Sequence, residues 1–310
     1  MPRSPLLALL LTLLPLVVLA AGSTPSAPPN GKGASTWEKE VRDWRAARQK
    51  RLTSPTGWLT LIGLEWLEKG ENGVGSASSN RVRLPEGKIP AQVGIIDWKK
   101  EGVHFRSAPG AIVTAGGKEV GEIDLVSDAA GEPTILEVGP VSFQLIDRAG
   151  KLGVRIKDRE AKTLRDFKGI ENFSADPKWR IEARWQPYPS PKKVRTPTVI
   201  GTQEEQTVPG AAIFEIAGKS CRLEPVLEDP EATELFFVFG DLTNGRATYG
   251  GGRFLYASLP KDGKIVLDFN LAYNPPCVFT NFATCPLPRP EDRLPVWIEA
   301  GEKAYHGAGH

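Results

Sequence analysis

"VSFQLIDR" (141–148) and "LGVRIKD" (152–158) alternate apolar and polar side chains on either side of Gly150. Successive side chains of a strand point to opposite faces, so this period of two predicts half-buried β-strands. The pattern extends outward in both directions. "GWLTLIG" (57–63), "NRVRL" (80–84), "AQVGIIDW" (91–98), "GVHFR" (102–106), "AIVTAGGKEV" (111–120) and "TILEV" (134–138) are equally short and bounded by turn residues. Strands of this length at such regular spacing predict an antiparallel β-sandwich over residues 57–160.

A second β-region follows. "FKGIENF" and the Trp-rich "KWRIEARWQPYP" lead into "TPTVIGT", "GAAIFEIAGKSCRLEPVL", "ATELFFVFG", "GRFLYASLP" and "GKIVLDFN". Ala217-Gly218-Lys219 and Lys261-Asp262-Gly263 read as hairpin turns. From Leu271 onward the chain is irregular and proline-rich. The fold class is therefore mainly β: a sandwich, then a second antiparallel sheet domain over 161–310. Thirty-two glycines and 27 prolines against one methionine agree with many turns and few long helices.

The N-terminus reads as an address. Arg3 precedes the apolar run 6–21, interrupted by Thr12 and Pro15, with the small residues Ala20, Ala21 and Gly22 at its end. This predicts a signal peptide over 1–21 and a periplasmic or secreted protein with no membrane span once it is removed. Residues 22–34 read as a disordered linker. Ser35-Thr36-Trp37-Glu38 has the form of a capping box, and Trp37, Val41 and Trp44 share one face, predicting a short helix over 35–53. A net charge of +2 offers no footprint for nucleic acid. The one basic cluster, Lys192, Lys193 and Arg195, falls in a proline-rich loop.

The polar residues of the second region concentrate around "DFNLAYNPPC" (268–277). If strands 234–240, 252–258 and 263–268 form an up-down-up meander, one edge collects Asp241, Asn244, Tyr249, Arg253, Asp268 and Asn270. Asp241 and Asp268 would then lie about 10 Å apart with Arg253 between them. An arginine there can clamp an anionic or carbonyl group while an acid serves as general base. The same residues can equally hold a corner as a satisfied ion-pair network. Cys277 and Cys285, eight residues apart, are expected to form a disulfide or to pack together, pinning their loop; Cys221 is left over.

Other chemistries find little support. Of three histidines, only His104 precedes the tail, so a Ser-His-Asp or Cys-His system has one candidate. "YGGGRF" lacks the lysine and helix of a P-loop, and no CxxC occurs. No motif names a cofactor or assembles a metal site.

The turn order "GVGSASSNRVRL", "GII", "VTAGGKEV", "LEVGPVSFQLI" resembles the layout of a forkhead-associated sandwich. That family reads phosphothreonine through an arginine after the opening glycine and a Ser-x-x-His further on. Here Ser76 follows Gly75, and "PAQVG" (90–94) holds neither serine nor histidine, so no phosphothreonine peptide is expected as a partner. More specifically, "GWLTLIGLEWLEKGENGVGS", "FGDLTNGRATYGGGRFLYA" and "LDFNLAYNPPCVFTNFATCPLPRPEDRLPVWIEAGEKAY" resemble a bacterial and archaeal domain of unknown function, number 1684. The resemblance implies no reaction, substrate or cofactor. An asparagine is typical of that family where this chain has Asp292.

These readings converge on an exported protein binding a small polar or anionic ligand at the C-terminal sheet edge. Arg253, Asn270, Tyr273 and Asn274 would make the contacts, beside Tyr249. The alternatives are a hydrolase using Asp241 or Asp268 as general base, and a structural envelope protein with no concave site.

Overall fold

The computed structural model describes residues 32–307 of the 310-residue chain. The expected signal peptide and residues 22–31 of the expected linker lie outside the described residues. Helix α1, Lys32–Leu52, starts before the expected linker ends and runs through Ser35 and Glu38, so that tetrad lies inside the helix rather than at its start. Lys50 and Arg51 in the last turn complement the helix dipole. Val41, Arg48 and Leu52 make its buried stripe. The chain turns back so tightly after it that a Cβ on Gly57 would stand 2.2 Å from the Leu52 carbonyl oxygen. Among the described residues, no helix is long and apolar enough to cross a membrane.

The sandwich is built as the alternation predicts. One sheet runs, in spatial order, Leu61–Trp66, Lys151–Asp158, Val141–Arg148, Ile135–Val138, Thr114–Ala115 and Lys118–Glu119. The other runs Val82–Arg83, Gly70–Gly75, Gly94–Trp98, Val103–Ser107 and Glu122–Asp124. All pairings are antiparallel except Gly70–Gly75 with Val82–Arg83. Phe143, Leu145, Val154 and Ile156 meet Ile96 and Phe105 in the core between the sheets. Arg155, between two core residues, faces the other way.

In the second unit four strands pair in the order Lys219–Leu223, Gln203–Ile216, Arg180–Pro197 and Lys264–Asp268. Glu234–Phe239 and Arg253–Ser258 form a separate two-stranded ribbon. Ala217-Gly218 and Asp262-Gly263 all have positive φ, the left-handed pair a tight hairpin requires. Lys192, Lys193 and Arg195 lie in a strand, not a loop; the pairing of that strand is interrupted between Pro187 and Lys192, where the prolines cannot donate to the ladder.

The expected meander does not form. Lys264–Asp268 pairs with Arg180–Arg184, setting Asp268 opposite Arg180. Arg253–Ser258 is bridged instead by Tyr273, through mutual Phe254–Tyr273 backbone hydrogen bonds of 2.9 Å. The reason is burial on two faces. Leu235, Phe237, Phe239 and Leu255 face Ile265, Leu267 and Phe269 across one core. Phe236, Val238 and Phe254 face Cys277 and Cys285 across another. A strand with bulky apolar residues on both sides needs layers above and below it, not one more strand beside it.

Candidate functional site

The polar residues around "DFNLAYNPPC" separate into buried clusters, in which Arg253 Nε and Asn274 Oδ1 are left without a hydrogen-bond partner. Asp241 and Arg253 form a fully enclosed pair: Nη2 donates to Asp241 Oδ2 at 2.7 Å, with both side chains 0% exposed. Arg253 also donates to the Ile298 carbonyl at 2.9 Å and to that of Ala300. Asp241 Oδ1 accepts from the Thr243 amide at 2.8 Å. Burial lowers the pKa of the Arg253 guanidinium while Asp241 opposes the shift.

Asp268 belongs to another cluster and has no bond to Arg253. It accepts from Trp37 Nε1 at 2.7 Å and from the Asn270 amide and side chain at 3.1 and 2.8 Å. Asn270 exchanges two 3.0 Å bonds with the Asp176 backbone. The Asn274 amide donates to Glu302 at 2.7 Å and its side chain to the Lys303 carbonyl at 2.8 Å. Arg48 Nε binds the same Glu302 at 3.0 Å, fastening helix α1 to the tail. These residues hold the loop in place, and neither Asp241 nor Asp268 lines the molecule's large cavity.

Cys277 and Cys285 are free thiols in contact, the Cys277 amide donating to Cys285 Sγ at 3.2 Å. The neighbouring Cys285 lowers the pKa of Cys277 and its own is raised in return. Tyr249 stands against Cys277 at 3.6 Å, its phenol pKa pushed up by burial. Asp292, the position where the family resemblance expects asparagine, is bracketed by Arg289 at 2.7 Å and driven by burial to a pKa of about 6. It too lies away from the cavity.

The concave site is elsewhere. A cavity of about 1150 Å³ lies between α1, the outer face of the Val141–Asp158 hairpin and the ribbon Glu234–Phe239/Arg253–Ser258. Of the sequence-derived ligand residues, only Tyr273 lines it; Cys285 does as well. Burial raises the pKa of the Tyr273 phenol, with Arg48 opposing from 4.6 Å over the ring.

Arginines supply the opposite wall. Arg148 is held bidentately by Asp128 at 2.9 and 2.8 Å and donates to Thr284 at 2.9 Å. Arg155, 8% exposed, reaches the same Asp128 oxygen only at 3.9 Å, and its buried Nε has no hydrogen-bond partner. One carboxylate thus stands between two guanidinium groups and serves the first. Burial and then Arg148 lower the pKa of Arg155. Glu204, also on the wall, has its carboxyl pKa raised by burial.

Lys157, two residues along the same strand, is another partly buried cation beside Arg155. Burial and then Arg155 bring its pKa down from the ordinary 10.5 to about 8. Between those values the unfolded chain binds the extra proton, so stability should rise with pH across that window. Cys285, held up by Cys277 and burial, and Cys221, held up by burial, act in the opposite sense in the same window, and the buried tyrosines do so above about pH 10, so the Lys157 contribution is read as a difference. In urea unfolding, the wild type should gain about 2 kcal/mol more than Lys157→Met from pH 8 to pH 10.

The arginines were legible only as outward positions of a strand pattern. Arg155 alternates with Val154 and Ile156, which reads as a solvent-facing residue. Its burial on that face comes from the second β-unit.

Residues 165–303 match the family described as protein of unknown function (DUF1684). An uncharacterized protein of Haloarcula marismortui, solved by NMR in solution, is 33% identical over 45% of this chain and 78% of that one, with a TM-score of 0.39. Weak similarity to forkhead-associated domains is also found. The FhaA FHA domain, solved in complex with an intracellular domain, is 14% identical over 30% of this chain and 97% of that one, with a TM-score of 0.22. An FHA domain studied for phosphothreonine-dependent interactions gives the same identity and TM-score, over 92% of its length. No curated protein sequence matches the chain.

Proposed function

We propose that the protein binds a small anionic ligand in the cavity between the sandwich and the second β-unit, with Arg155 as the anchoring cation. The observation that carries this reading is a guanidinium that is nine-tenths buried, lines a large cavity and lacks a carboxylate of its own. A buried guanidinium whose one carboxylate stands 3.9 Å away and is shared with Arg148 is under-compensated, and an incoming anion reduces that penalty. The apolar run 6–21 behind Arg3 supports a protein that does this after export.

Trp44 and Trp58 line the cavity and provide a fluorescence signal. Benzoate should quench or shift it saturably. Arg155→Met should weaken that binding by about 10- to 150-fold, the worth of a hydrogen bond to a charged group. Because Arg155→Met also removes a buried under-compensated charge, its melting temperature should hold or rise. Unchanged benzoate affinity, or a collapse of stability, would show that Arg155 serves the fold alone.

A further inference from the structure

We infer that the cavity selects flat, ring-bearing carboxylates over saturated ones, an inference that rests on the anion-binding role of Arg155. The Arg155 guanidinium lies 5.0 Å from the Trp58 ring centroid. Trp58 packs on the cluster containing Phe236 and Phe254. From there the rings are continuous: Phe254 meets Tyr273 edge-on at 5.7 Å, and Tyr273 lies 11° from parallel with Tyr256 at 6.4 Å. Trp44 closes on Tyr273 from the helix side at 6.0 Å.

This wall is ordered before any ligand arrives. Tyr256 is tethered through its hydroxyl to Glu228 at 2.8 Å, and Tyr273 is covered by Arg48. A fixed wall loses little side-chain entropy on binding. Tyr256 remains 38% exposed, so ring surface is open to a guest. A saturated body gains only the burial of its area there, whereas an aromatic one adds edge-on and offset ring contacts.

The charge of the head group follows from the arginine wall. Arg148 is already engaged by Asp128 on both nitrogens and Arg48 by Glu302, while Arg51 lines the cavity from the exposed side of α1; Arg155 offers the buried planar fork. That fork matches a carboxylate. A phosphate dianion would bring a second negative charge to a wall that already carries Glu204, Glu205, Glu228 and Glu234.

Calorimetric titration of the full chain with 2-naphthoate, decahydro-2-naphthoate, 2-naphthalenemethanol and inorganic phosphate tests this. Naphthoate should bind about tenfold more tightly than its saturated counterpart. Tyr256→Leu, at a half-open position, should shrink that ratio to about twofold. Equal affinities for the two acids, both dependent on Arg155, would overturn ring selection and leave the anion site standing. Phosphate binding more tightly than naphthoate would do the same. Failure of both acids to bind, or naphthalenemethanol binding as tightly as naphthoate, would overturn the anion site and this inference together.

Discussion

Asp241→Asn should lower the unfolding free energy by about 3–5 kcal/mol, as expected when a buried ion pair loses one member. The amide keeps the shape, but if its oxygen still accepts from Thr243 its nitrogen faces the Arg253 Nη2 donor, so the charge and that hydrogen bond are lost together. Arg253 would remain fully enclosed beside Phe239 with its charge uncompensated. Arg253→Lys should be nearly as damaging, because one ammonium cannot reproduce the bonds to Asp241, Ile298 and Ala300 together. Folded domains are stable by only about 5–15 kcal/mol, so either variant forfeits a large share. Urea unfolding checks both. A loss under about 1 kcal/mol, accompanied by lost benzoate binding, would move the ligand site back to this corner.

Arg48→Met should be comparably severe, at about 3–5 kcal/mol, and for a related reason. Glu302, 1% exposed, depends on Arg48 Nε and the Asn274 amide for its partners. Arg48 also donates to the Asn274 carbonyl at 2.9 Å, so one side chain joins helix, loop and tail. Its removal should free α1, which limited proteolysis within 32–52 would detect as faster cleavage. Burial already holds the Glu302 pKa above its usual value, and Arg48 opposes that shift. Without Arg48 the carboxyl should protonate more readily, so the variant should recover part of its deficit as pH falls. Equal deficits at pH 5 and pH 8 would indicate lost packing over Tyr273 instead.

These three variants, set beside Arg155→Met, separate architecture from function. Asp241 and Arg253 lie in a sealed core and Arg48 is a tether, whereas Arg155 carries a charge that the fold leaves under-compensated. Stability should therefore fall for the first three and not for the fourth.

Residues 141–158 show how much can be read locally. Side-chain alternation and turn chemistry are properties of a few neighbouring residues, so the hairpin, the sandwich and the left-handed Ala217 and Asp262 turns were legible in the chain itself. The sequence also marked "DFNLAYNPPC" as unusual, and the residues do prove tightly bound. It could not say to what. Asp268 meets Trp37 from 231 positions away, and Glu302 meets Arg48 across 254. Such pairings depend on how layers stack, which two-faced strands such as Glu234–Phe239 force but do not spell out. The cavity belongs to that same level. Arg155 is an outward strand residue by its neighbours and a buried cation by its surroundings, because a second β-unit covers the face on which it stands.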